Sequence, residues 1–252
     1  SLAFTALRCV DRWMLNRYVG AAEVGIYAVA MSFAAILFMG VQLIGNVLAV
    51  NLNYLWVQGK REQCMSVLNT VVKTMLFLFL IGSFFVLLVK DFIIGTLYGI
   101  AYLPGASIIH ILLLMQVFMI IYWIMGIYPS LIEKTFIVFF AGAIGFVSNA
   151  GLNYLLIPLY QMKGAAIASA SSFLLISVVL LILNKTENFK LDKKLFLLIL
   201  ISLLLLMDYV WILGIVLGLL CAAVVKTEVL FTNFEKEFIV GKLKEGFKNV
   251  RT

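Results

Sequence analysis

Long apolar runs separated by short polar connections make up most of the chain, and their lengths predict bilayer-crossing helices rather than strands. Eight such runs fall at about residues 1–19, 24–49, 68–89, 105–126, 135–157, 164–184, 194–208 and 210–227. A helix needs about 20 apolar residues to span the hydrocarbon core, so the last two runs are short. They predict either a tilted tight hairpin or one broken helix, with Asp208 at the turn. Pro104, Pro129 and Pro158 fall near predicted span ends, where a missing backbone N–H does least harm. The predicted fold class is an all-α polytopic membrane protein of about eight transmembrane helices.

Composition sharpens this picture. Apolar residues are 64% of the chain and mean hydropathy is +1.13, which leaves no room for a soluble domain. The net charge of +7 could suggest nucleic acid, but the distribution argues against it. Placing alternate connections on one side, together with the tail, collects thirteen Lys and Arg there and leaves three (Arg17, Lys90 and Lys163) opposite. By the positive-inside rule the richer side is cytoplasmic, in a multi-pass protein of the cell membrane. No basic leader is visible and Ser1 is not an initiator Met, so the sequence is expected to begin partway through a helix. Cys9, Cys64 and Cys221 have neither metal-ligand spacing nor an even count, and read as small packing residues. Nothing suggests a cofactor.

Arg8, Asp11 and Arg12 stand out in the first apolar run. Spaced three and four apart, they share one helical stripe. Arg12 falls about 12 Å inside the near end of that run at the helical rise of 1.5 Å per residue. A charge near mid-bilayer costs roughly 2.5–3.5 kcal/mol on insertion scales, so such groups normally face a protein interior or a watery cavity. Two guanidiniums and one carboxylate suggest a cavity for an anionic group; an Arg–Asp pair that only joins helices is the structural alternative. Gln42 with Asn46, and Asn149 with Asn153, place amides on single helix faces, suited to sugar hydroxyls or to interhelical hydrogen bonds. For the second pair the interhelical role is favoured. His110 reads as a packed residue, and Lys73 as a snorkelling one near the start of the third span. Phe231 to Val250 mixes Phe234, Phe238, Leu243 and Phe247 with lysines and glutamates, as a basic amphipathic segment on the inner leaflet would.

Three stretches together resemble the bacterial polysaccharide (O-antigen and capsule repeat-unit) flippases, in the superfamily of multidrug, oligosaccharidyl-lipid and polysaccharide exporters. Asp11-Arg12-Trp13-Met14-Leu15-Asn16-Arg17-Tyr18-Val19-Gly20 with Val24-Gly25-Ile26-Tyr27 resembles the junction of that family's seventh and eighth helices. Leu97 to Ala106 is similar to its external loop before the tenth helix, and Leu152 to Tyr160 with Gly164 to Ala168 to its eleventh-to-twelfth junction. Where many relatives carry a proline near the end of the second span, this chain has Asn51 and Asn53. The resemblance implies a second six-helix lobe over residues 1–184, two additional helices over 185–230 and a cytoplasmic tail over 231–252. It also implies a missing N-terminal lobe of the same protein as partner, surrounding membrane lipids, and no nucleic acid.

The implied activity is flipping of a polyprenyl-diphosphate-linked oligosaccharide from the inner to the outer leaflet by alternating access. Arg8 and Arg12 would pair with the diphosphate, since guanidinium forks match phosphate oxygens. Asp11 would temper that hold or take up a coupling cation or proton, and Gln42 and Asn46 would meet the sugar. A multidrug extruder is the alternative, but two arginines against one aspartate favour an anionic cargo. An embedded enzyme would need catalytic groups on an outer loop, and the longest one, about Lys90 to Pro104, offers only Lys90 and Asp91. The chain is therefore expected not to be an enzyme.

Overall fold

A computed structural model describes residues 2–207, 209–232 and 235, with side chains from Cys9 onward except at 225. In chain order the elements are α1 (Leu2–Tyr18), α2 (Ala21–Val57), α3 (Arg61–Leu97), a 3-10 helix (Ile100–Ile108), α4 (Ile109–Met125), α5 (Ile127–Leu131), α6 (Phe136–Thr186), α7 (Lys194–Ser202), a 3-10 turn (Leu203–Leu206) and α8 (Val210–Lys226). No strand occurs among the described residues.

Four helical stretches are long and apolar enough to cross a membrane: Ala21–Val57, Arg61–Leu97, Ile100–Leu131 and Phe136–Thr186. Lys194–Leu206 and Val210–Val224 are shorter apolar helices. Both α2 and α3 outrun their predicted spans, each reaching 37 residues. Hydropathy marks where the hydrocarbon lies, whereas a helix continues into the polar zone until its backbone is interrupted. Around Asn51 and Asn53, where a proline is absent, α2 runs on unbroken to Val57.

The 51 residues of α6 are interrupted at Gln161, whose φ of 51° and ψ of −130° lie outside helical space. Pro158, one turn earlier, has already withdrawn a backbone donor. The arms 136–160 and 162–186 then fold back on one another. Ser148 and Ser172 hydroxyls lie 3.3 Å apart, and Asn149 Nδ2 donates to Ser169 Oγ at 3.3 Å. A Cβ at Gly145 would clash with the Ile176 side chain, and one at Gly164 with the Leu156 carbonyl oxygen. Positions rising along one arm meet positions falling along the other, so the pair is an antiparallel hairpin packed through small residues.

At the centre lies α4, buried along almost its entire length and packed by α2, α3 and α6. A helix apolar on nearly every side can be covered in this way, although the buried Gln116 Oε1 finds no hydrogen-bond partner among the described residues. Its carbonyls also anchor α6: Ser177 Oγ donates to Phe118 O at 2.7 Å and Asn184 Nδ2 to Met125 O at 3.0 Å. Large apolar side chains such as Leu43, Val50, Phe92, Phe139 and Trp211 point outward, as lipid contact requires.

The lysine-rich connections gather at one end. Lys134 Nζ reaches Glu187 Oε2 at 2.6 Å, and Lys190 Nζ reaches Glu62 Oε1 at 3.5 Å. Arg61 stacks over Trp56, which meets Tyr128 edge-on. The connections after α2, α5 and α6 thus share the end that the charge distribution assigns to the cytoplasm.

Candidate functional site

Among the described side chains of α1, Asp11, Met14 and Leu15 are buried, while Arg12, Trp13, Asn16 and Arg17 are exposed. Neighbouring helical residues diverge by about 100°, since a turn takes 3.6 residues. Asp11 therefore points into the contact with α6 and Arg12 points out. The single charged stripe expected from the sequence is split, and no Arg12–Asp11 pair forms. Arg12 has no hydrogen bond or ion pair with any described residue. Arg8 lies within α1, but its side chain is outside the described residues.

Asp11 is 3% exposed and sits where α1, α2 and both arms of α6 meet. Its Oδ1 accepts from Asn153 Nδ2 at 2.7 Å, and its Oδ2 accepts from Ser169 Oγ at 2.5 Å and the Tyr27 hydroxyl at 3.3 Å. Asn153 Nδ2 also donates to Asn149 Oδ1 at 3.0 Å. All these partners are neutral. Asn153 is fully buried, yet its Oδ1 has no hydrogen-bond partner. The cluster therefore offers carboxylate, amide and hydroxyl oxygens around one negative charge, a donor set for a hard cation or a proton rather than for a soft metal. Among the described residues no group of three His, Cys, Asp or Glu side chains converges.

Gln42 and Asn46 separate in the same manner. Gln42 is half-buried, while Asn46 is exposed and lines a groove of about 300 Å³ with Gly45, Ala49 and Asn53 of α2, Tyr122 and Trp123 of α4, and Ser130 of α5. Gln42 does not line it. His110, half-buried at the start of α4, belongs to neither the groove nor the Asp11 cluster.

Lys73 departs most from expectation. Instead of snorkelling to water it is fully buried, with Nζ at 2.5 Å from Asp192 Oδ2 and at 2.8 and 3.0 Å from the two Glu235 carboxylate oxygens. Phe231 covers the ammonium at 5.5 Å, and Thr70 Oγ1 donates to Glu235 Oε1 at 2.6 Å. Asn69 bridges the same place, donating to Lys190 O at 2.8 Å and accepting from Asp192 N at 3.0 Å. Sequence spacing contains no sign of this cluster, because Lys73 lies more than a hundred residues from both Asp192 and Glu235. Of the amphipathic segment expected at Phe231 to Val250, only Phe231, Thr232 and Glu235 are described; Phe234, Phe238, Leu243 and Phe247, like Asp208, lie outside the described residues. Among the cysteines Cys64 is buried, Cys221 partly so, and Cys9 is exposed rather than packed.

No protein-family model and no curated protein matches the sequence. Among solved structures the fold is similar to that of the lipid II flippase MurJ in its inward closed conformation. Identity is 19% and the TM-score is 0.54, over 84% of this chain and 51% of that one. The chain thus spans about half the length of that flippase. The shared fold and the four long apolar helical stretches together describe a multi-pass α-helical membrane protein.

Proposed function

We propose that the chain is the second lobe of a transporter that flips a polyprenyl-diphosphate-linked oligosaccharide from the inner to the outer leaflet by alternating access. The observation that carries the reading is Arg12: an exposed guanidinium on α1, the first apolar run of the sequence, with no ion pair to a described residue, on a fold similar to half of a lipid II flippase. If α1 crosses the bilayer as its sequence predicts, a lone cation within it is costly unless it faces a protein interior or water. A second lobe across a central cavity provides that setting, and a diphosphate provides the matching charge. Arg8, three to four residues before Asp11 and Arg12, extends the same proposed path; α7 and α8 are the two additional helices.

Asp11 takes a different part from the arginines. Its carboxylate is buried among neutral donors, and a buried charge demands compensation. A proton or a monovalent cation supplies one positive charge, and the unpartnered Asn153 Oδ1 adds a further oxygen for the latter. Binding and release there would alter how α1, α2 and α6 are joined, which couples an ion gradient to rocking of the lobe. The same feature favours the second reading, a multidrug extruder of cation-coupled type, whose cargo would be cationic.

Outward transfer of a labelled polyprenyl-diphosphate oligosaccharide, measured in proteoliposomes holding the natural polypeptide that carries this sequence, separates the two. Transfer that Arg12→Gln abolishes in a folded protein is the expected result. Absence of that transfer, with export of cationic dyes instead, would replace the flippase by the extruder.

A further inference from the structure

We infer that the groove between α2, α4 and α5 is a subsite for a neutral sugar unit, which deepens, and rests on, the flippase reading above. Asn46 and Asn53 lie seven residues apart, two turns and about 10 Å along one stripe of α2. Both are exposed, both line the groove, and neither amide hydrogen-bonds to a described residue. Asn51 differs: its Nδ2 is tied back to Val47 O at 3.1 Å and does not line the groove. The two free amides present a full set of donors and acceptors, and Ser130 Oγ, whose proton goes to Gly126 O at 3.4 Å, adds an acceptor.

Trp123 forms the wall. A Cβ at Gly45 would fall 2.9 Å from its Nε1, so the indole lies against α2 only because position 45 is glycine. Phe38 supports the indole edge-on at 6.3 Å. An aromatic wall beside amides and a hydroxyl oxygen suits the C–H groups and hydroxyls of a pyranose. No charged residue lines the groove, which argues against a phosphate or a cationic drug as its occupant. Its volume of about 300 Å³ matches the smaller end of small-molecule sites, about 300–1,000 Å³. Ser130 stands just before the Lys134 connection, so the groove lies toward the end from which an inner-leaflet substrate enters.

The test uses nanodiscs of the natural polypeptide in which Trp123 is the sole tryptophan. Lipid-free disaccharides built from neutral hexoses and from N-acetylhexosamines are titrated while Trp123 emission is recorded. A saturable shift is expected with at least one disaccharide, weakened tenfold or more by Asn46→Leu with Asn53→Leu and by Gly45→Ala, while circular dichroism stays unchanged. No shift with any disaccharide, or a shift indifferent to these substitutions, overturns the subsite. Transfer measurements on the same variants separate the two readings. Sugar binding without lipid-linked transfer keeps the groove and overturns the flippase; transfer that tolerates the Asn46 and Asn53 substitutions keeps the flippase and overturns the groove.

Discussion

Asn153 Nδ2 donates to Asp11 Oδ1 at 2.7 Å, fastening the first arm of α6 to α1 through a carboxylate whose described partners are all neutral. Removing that donor leaves a buried acceptor short of a bond, a loss of about 1–3 kcal/mol in general and under about 2 kcal/mol for interhelical bonds in membranes. Asn153→Leu is therefore expected to cost between 1 and about 2 kcal/mol by these measures. Thermal unfolding followed by circular dichroism checks this. Asp11→Asn, nearly the same shape, should fold but lose dependence of transport on the ion gradient.

Arg12→Gln separates function from stability. The side chain is exposed and makes no bond to a described residue, so the change in unfolding free energy should stay within about 0.5 kcal/mol. Transfer of a diphosphate-linked cargo should nevertheless fall at least tenfold. Equal losses of stability and transfer would assign Arg12 a structural role.

Lys73→Met should be among the most damaging single changes. It leaves Asp192 and Glu235 facing each other without their shared cation. Breaking a buried pair by removing one partner typically costs about 3–5 kcal/mol. Adding Asp192→Asn and Glu235→Gln should recover most of the loss, because neutral groups need no ammonium. If the triple variant is no better than Lys73→Met, packing of the lysine stem, not charge, is what matters.

Acid should release the segment around Glu235. Burial alone would raise this carboxyl, but hydrogen bonds from Lys73, Thr70 and the Thr232 backbone outweigh it and hold the group below the ordinary glutamate value. A depressed value in the folded state means its stabilising contribution is complete above the unfolded value and disappears as pH falls through the folded one. Hydrogen exchange of residues 229–232 should thus accelerate only at pH below the ordinary glutamate range. Glu235→Gln should make that exchange insensitive to acid; an unchanged acid response in the variant would place the titrating group elsewhere.

Two glycines of the α6 hairpin predict opposite rescue behaviour. A Cβ at Gly145 meets the flexible Ile176 side chain, whereas one at Gly164 meets the Leu156 backbone. Gly145→Ala should cost about 1–3 kcal/mol, the usual price of overpacking, and Ile176→Ala should relieve part of it. For Gly164→Ala no truncation of a neighbouring side chain should help. Unfolding free energies of the four variants decide the matter.

Much of the architecture follows from local pattern. The apolar runs coincide with helical stretches, although α2 and α3 continue past theirs, and the break at Gln161 lies between two runs, beside Pro158 and Gly164. Hydrocarbon solvates apolar side chains and nothing else, so run length reports helices without knowledge of their neighbours. Asp11 could be singled out for the same reason, as could the amide pair Asn149 and Asn153. Tyr27 and Ser169 carried no signal of their own, since a hydroxyl in a membrane helix can usually satisfy itself on its own backbone. Lys73 was placed correctly in the third helix but given the wrong surroundings, because its partners arrive from the connection before α7 and the segment after α8.

Local pattern sufficed for the all-helical membrane class, the rough placement of the long apolar helices, the side rich in positive charge and the few polar residues that a membrane would not tolerate idle. These are properties of a residue and its near neighbours in an apolar solvent. Packing alone turns Asp11 inward and Arg12 outward, sets Asn46 in a groove with Asn53 and not with Gln42, and seals Lys73 with two distant carboxylates. Each depends on which face a neighbouring helix covers, and that is fixed by packing among segments far apart in the chain.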